Sequence, residues 1–168
     1  RAVWFEDSEK LYVKRQDWRD VDELWVINTL AERPELETYK YNMPGEEDHY
    51  QDEIFVFDVE TEERVRLDTD KWPDQSLGGV YFNNGGIFMS EESDYLWILR
   101  RNRPWNKVDV LKANTTTGDV EVLWSEESNP YFNTRYAQLA IINEGEEYIW
   151  WSERTGWGQL YRYDSEGN

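Results

Sequence analysis

Cysteine is absent from the 168 residues, which excludes a disulfide framework, a thiolate nucleophile and a Cys-based zinc site. Histidine occurs once, as His49, so chemistry that needs an imidazole base has a single candidate. Cations are scarce: 18 Lys and Arg stand against 36 Asp and Glu, a formal net charge of -18. That balance argues against nucleic acid, whose phosphates are gripped by Lys and Arg, and against an anionic membrane surface. A cationic or amine-bearing ligand is permitted; the plain alternative is that the charge keeps an aromatic-rich chain in solution. No apolar run reaches the roughly eighteen residues of a bilayer-spanning helix, so no membrane span is expected. The chain opens on Arg1, without Met and without a signal-like apolar stretch, and is expected to be an excerpt of a longer polypeptide.

Aromatic residues are plentiful: ten Trp, eleven Tyr and six Phe. High net charge is also the composition of disordered chains, but those are poor in aromatics. Each aromatic ring buries on the order of 150–250 Å², so a folded β-rich domain with a solvated acidic surface is expected. The length suits one domain with a sizeable core.

Short alternating runs recur: KLYVKRQ (10–16), DELWVIN (22–28), DEIFVFDV (52–59), RVRLD (64–68), DYLWILRR (94–101), NKVDVLKA (106–113), DVEVLW (119–124), EEYIWWSER (146–154) and GQLYRYD (158–164). β-Branched or aromatic residues at every second position give the period of a strand with one buried face. Turn-forming clusters separate them, among them ETEE, NTTTGD, NEGE and DSEGN. Helical periodicity is missing throughout. A strand, turn and strand plan starts at Asp52, again at Asn106 and, in its first half, at Gly158; a spacing of roughly 50 residues is the period of a four-stranded propeller blade.

The fold expected is therefore all-β, a partial β-propeller of roughly three four-stranded antiparallel blades, the last one truncated. The blades are placed at about 1–70 with an insertion at 17–51, at 75–125, and at 130–168 without a fourth strand. Inner strands are assigned near GGVYFN (78–83) and at YAQLAIIN (136–143), and VWFED (3–7) is the first of the four strands of the earlier blade. Three blades cannot close a ring of the usual four to eight, and open strand edges pair with other edges, so self-association is expected.

Chemistry is hard to place. DQSLG (74–78) comes nearest to G-x-S-x-G, but Asp74 stands where the first Gly belongs and no helix pattern follows. His49 lies in the acidic GEEDHYQDE, the setting of a solvated surface residue. Adjacent carboxylates (46–47, 62–63, 91–92, 126–127 and 146–147) fall in turns or at strand starts, and adjacency does not supply the separation that glycosidases need. Neither DTD (68–70) nor EED has the spacing of a calcium loop. No catalytic residue, metal or cofactor is expected. NTT (114–116) fits the N-glycosylation pattern on a hairpin turn.

WWSERTGWGQLYRYDSEGN (150–168) is similar to the W-x-S-E-R-x-G-W-x-x-L-Y-x-Y-D signature of the dipeptidyl peptidase IV branch of the prolyl oligopeptidase family. ETYKYNMPGE (37–46) resembles that family's Y-x-Y-P-x-x-G-E stretch, and WILRRNRPWNKVDVLKANTTTGDVEVL fits the blade that follows. The resemblance covers nearly all of the chain. It implies the later-middle part of a seven- or eight-bladed propeller that gates and lines the substrate cavity of a serine peptidase acting after Pro or Ala near peptide N-termini. The α/β-hydrolase domain that would carry Ser, Asp and His lies outside the chain, so the fragment itself is not expected to be an enzyme. The family's Glu pair for the substrate's α-amino group matches no pair here, because Glu46–Glu47 follows MPG and runs into DHY; it is expected upstream of Arg1.

Resemblance also implies that NPYFNTR (129–135) faces the cavity, with Tyr131, Phe132 and Arg135 as substrate-side candidates. Alternatively Tyr131 and Phe132 pack between blades while Arg135 pairs with a surface carboxylate. The implied partners are a peptide substrate, the missing blades and the hydrolase domain, and the family favours a periplasmic or secreted location. The alternative function is a propeller used as a protein-interaction or ligand-binding module without a peptidase.

Overall fold

The computed structural model describes residues 2–73, 75–80 and 82–168. Asp74 of DQSLG and Tyr81 of GGVYFN lie outside the described residues. The chain forms a partial β-propeller of three successive antiparallel sheets, with a separate two-stranded ribbon inserted in the first.

The first sheet has the order β1 (Ala2–Trp4), β2 (Lys10–Asp17), β5 (Gln51–Asp58), β6 (Arg64–Arg66), and the ribbon pairs β3 (Glu23–Asn28) with β4 (Glu35–Lys40). In the second, β7 (Gln75–Leu77) and β8 (Ile87–Met89) both pair with β9 (Tyr95–Asn102), followed by β10 (Lys107–Asn114) and β11 (Val120–Glu127). The third contains β12 (Leu139–Ile142), β13 (Glu147–Ser152) and β14 (Gln159–Asp164).

Alternation of side chains places the core. On β9, Leu96 and Ile98 face the first sheet and join Tyr12, Ile54 and Val56, whereas Trp97 and Leu99 face the third and join Leu139, Tyr148 and Trp150. On β10, Leu111 and Ala113 take the first side, Val108 and Val110 the second. The middle sheet is thus apolar on both faces, which is what stacking between two neighbours demands.

Polar side chains lock the stack. Buried Asp52 accepts the Leu77 N–H at 2.9 Å and pairs with Lys14 Nζ at 2.8 Å, while Lys14 also donates to the Leu77 carbonyl at 2.5 Å. Between the second and third sheets, Trp97 Nε1 donates to the Tyr148 hydroxyl at 3.0 Å. Burial pushes the Tyr148 phenol up from its ordinary pKa.

The inner strand expected at GGVYFN is a correction. β7 ends at Leu77, and the chain leaves the sheet and returns as β8 at Ile87. Gly78 and Gly79 have φ of +56° and +96°, a left-handed turn that a strand cannot continue through. A Cβ on Gly78 would lie 2.6 Å from Ile87 Cγ1, so the two halves of the split strand close tightly on each other. VWFED is also shorter than expected: β1 stops at Trp4, and the Phe5 N–H bonds the Lys10 carbonyl at 3.1 Å to close a turn.

Candidate functional site

Strand register gathers four connections at one end of the stack. Asp17 pairs with Gln51, Gln75 with Asn102, Lys107 with Glu127 and Ser152 with Gln159. The 18–50 insertion, the 103–106 turn, the 128–138 loop and the 153–158 turn therefore share this rim. They touch: Arg103 donates to the Glu46 carbonyl at 2.6 Å, and the Phe132 N–H donates to the Trp105 carbonyl at 2.6 Å.

Here lies a cleft of about 150 Å³, lined by the end of β11, the loop after it, Trp151 of β13 and the turn that follows. Tyr131 and Phe132 are both in its wall. Tyr131 is 53% exposed, while Phe132 is 5% exposed and stacks on Trp150 with ring centroids 6.3 Å apart. So the loop splits the pair: Tyr131 is presented to solvent, and Phe132 belongs to the core between the second and third sheets. Arg135 is exposed and outside the cleft lining; its N–H bonds Asn133 Oδ1 at 3.3 Å, and it makes no ion pair among the described residues.

Arg154 is the guanidinium in the cleft wall, and it was not singled out from the sequence. Trp150, Ser152 and Arg154 alternate along β13 and its turn, and all three converge on Glu126 of β11. Trp150 Nε1 donates to Glu126 Oε2 at 2.8 Å, Ser152 Oγ donates to Oε1 at 2.5 Å, and Arg154 Nη2 lies 3.8 Å from Oε2. Arg154 Nε also donates to Ser152 Oγ at 3.2 Å, Nη2 donates to the Tyr163 hydroxyl, and the guanidinium carbon sits 3.8 Å from the Tyr161 ring centroid. The W-x-S-x-R spacing in the last motif, set against a Glu in WSEE, was the available signal. Strand periodicity puts positions i, i+2 and i+4 on one face.

The other sequence candidates are placed elsewhere. Ser76 Oγ accepts from Arg101 Nη2 at 3.1 Å, whereas His49 Nδ1 lies 2.9 Å from the Tyr50 carbonyl in the insertion. The two do not meet. Asp70 of DTD pairs with Arg66. Asn114 of the glycosylation pattern accepts the N–H groups of Thr116 and Thr117 at 2.9 Å, and Thr116 Oγ1 accepts from Lys10 Nζ at 3.1 Å. Among the described residues no three His, Asp or Glu side chains converge as metal ligands.

Known proteins match this architecture. Solved structures similar to it include a Bacteroides ovatus chain assigned as a dipeptidyl aminopeptidase IV, with TM-score 0.76 and 19% identity over 99% of this chain and 22% of that one. The dipeptidyl peptidase 4 of Porphyromonas gingivalis gives TM-score 0.74 and 20% identity over 99% of this chain and 23% of that one. The chain thus spans less than a quarter of the length of either, and likeness at this identity speaks for the fold. The family of the dipeptidyl peptidase IV (DPP IV) N-terminal region matches residues 1–168, every strand and the whole rim included, and the chain belongs to that family.

Proposed function

We propose that the chain is a non-catalytic segment of the propeller of a dipeptidyl peptidase IV-like serine peptidase, and that its rim is part of the wall of the substrate cavity. The three sheets are read as successive blades at about 1–70, 75–125 and 130–168, with the 17–51 insertion in the first and the hydrolase domain elsewhere in the polypeptide. In this reading the wall gates access, so that peptides reach the hydrolase and are cut near their N-termini after Pro or Ala. One observation carries the reading: the family match runs over the whole chain and takes in the SER-T-G-W turn that builds the cleft. Tyr131, in the cleft wall, is the cavity-lining residue proposed first; Phe132, also in the wall but packed on Trp150, and Arg135, outside the wall, are the second and third.

Tyr131→Ala in the full-length polypeptide is expected to raise KM for X-Pro peptides about threefold or more with kcat hardly changed, since wall contacts serve binding rather than chemistry. An unchanged KM contradicts the role. The 168-residue chain alone is expected to show no X-Pro hydrolysis, and turnover that survives repurification contradicts a non-catalytic segment.

The interaction-module reading is favoured by the β3–β4 ribbon, on which Trp25, Ile27 and Leu36 are 67%, 65% and 64% exposed on one face. Such a face and the open sheet edges also support self-association of the chain. Light scattering is expected to give a mass above 20.3 kDa; a monodisperse monomer contradicts it.

A further inference from the structure

We propose that Arg154 binds a main-chain carbonyl of an extended peptide in the rim cleft, and that Glu126 is the positioning residue that sets its guanidinium. The inference rests on the cavity-wall reading and names the group that does the binding. A free arginine side chain has several rotatable bonds to immobilise before it can hold a ligand. Arg154 has them fixed already: Ser152 holds Nε, Tyr163 and Glu126 hold Nη2, and the Tyr161 ring lies beneath the guanidinium plane. Its Nη1 makes no hydrogen bond among the described residues, and Arg154 lines the cleft. One fixed donor beside an aromatic wall is how small sites read polar groups of a ligand.

The cleft's charge selects the acceptor. Glu126, Glu127 and Glu153 all border it, against Arg154. A carboxylate approaching Arg154 would meet three like charges, while a neutral carbonyl meets none of that repulsion and keeps the charge-assisted hydrogen bond. A cleft of about 150 Å³ takes a short piece of extended peptide rather than a folded partner. Exposed Tyr131 and half-buried Trp151 offer flat apolar surface for a side chain of that peptide.

Glu126 acts through Arg154. Its carboxylate ties the outer strand of the second sheet to Trp150, Ser152 and Arg154 of the third, so the cation's position is referred to both walls of the cleft.

The test is a titration of the ¹⁵N-labelled 168-residue chain with the blocked neutral peptide acetyl-Ala-Ala-Ala-Ala-amide, followed at the Arg154 Nε–H resonance. Circular dichroism checks the fold of every variant. The resonance is expected to move and saturate. Arg154→Lys keeps the charge but loses the fork and is expected to weaken binding about tenfold, the worth of one hydrogen bond to a charged group. Glu126→Gln is expected to weaken it about threefold in the wild-type background and not at all in the Arg154→Lys background, because a positioning residue has nothing left to position. A merely structural Glu126 would weaken both. If the peptide binds while the Arg154 resonance stays still and Arg154→Lys binds as well as wild type, the proposal is overturned and the cavity-wall reading stands. If the folded chain binds no peptide, both fall.

Discussion

Asp52 shows how much of the sheet packing rests on single side chains. It is 2% exposed, yet one oxygen takes both the Leu77 N–H and the Lys14 ammonium, and Gln16 Nε2 donates to the other at 3.1 Å. Asp52→Ala removes the acceptor and leaves a buried N–H and a half-buried ammonium facing each other. The expected loss is about 3 kcal/mol, since breaking one side of a buried pair strands the other. Urea denaturation checks it; a loss under 1 kcal/mol would mean that water replaces the carboxylate. None of this was legible in DEIFVFDV, where Asp52 looks like a polar strand start, because its partners lie 25 and 38 residues away. The same holds at the cleft. Tyr131 is singled out from its loop by resemblance, whereas Arg154 shows in the sequence only as one end of the W-x-S-x-R alternation, because its partner Glu126 lies on the neighbouring sheet.

Strand hairpins carry the repeat, and here the sequence was more informative. Asp58, Asn114 and Asp164 each end the third strand of their sheet and accept N–H groups from the turn that follows. That is why ETEE, NTTTGD and DSEGN read as equivalent: a short side-chain acceptor closes each turn. Gly118 and Gly167 add a packing demand. A Cβ on Gly118 would lie 2.7 Å from the Arg66 carbonyl oxygen, and one on Gly167 would lie 2.3 Å from that of Leu123. Each turn therefore leans on the outer strand of the preceding sheet. Glu62, exposed in the corresponding turn of the first sheet, keeps a side chain at φ +59°. Gly118→Ala combines a φ of +83° with that clash, and is expected to cost about 2 kcal/mol. Thermal unfolding checks it, with Thr117→Ala as the neighbouring control; an unchanged midpoint would show that β6 gives way. GGVYFN has the residues of a strand but not its place in the sheet, because the β7–β8 break is set by pairing with β9 and by the glycine turn rather than by local pattern.

Across the whole molecule, charge is the dominant physical fact. The Arg19 guanidinium bonded to Asp17 holds its carboxyl at about 2. Backbone N–H groups, led by Thr61 for Asp58 and by Asn168 for Asp164, hold both carboxyls below the usual range. A carboxyl lowered in the folded state contributes stability that is present above its unfolded pKa of about 3.9 and is lost as pH falls through the folded value. The net charge of -18 works the other way, because protonating repelling carboxylates relieves the fold. The unfolding midpoint is therefore expected to hold or rise from pH 7 to about pH 5 and to fall from about pH 4 to pH 2. A midpoint that climbs steadily down to pH 2 would show that repulsion, not the turn carboxylates, governs acid stability. All-β class and the succession of sheets followed from period-2 patterning, and DELWVIN showed β3 of the inserted ribbon, whereas β4, exposed at every position, carries no alternation of buried residues to show it.

Whether the chain is one segment of a propeller followed by a serine hydrolase is decided by reading the coding frame beyond Asn168. A fourth strand for the third sheet, further blades, and then a G-x-S-x-G elbow followed by Asp and His are expected. A frame that completes the ring and stops without a hydrolase segment would contradict that reading.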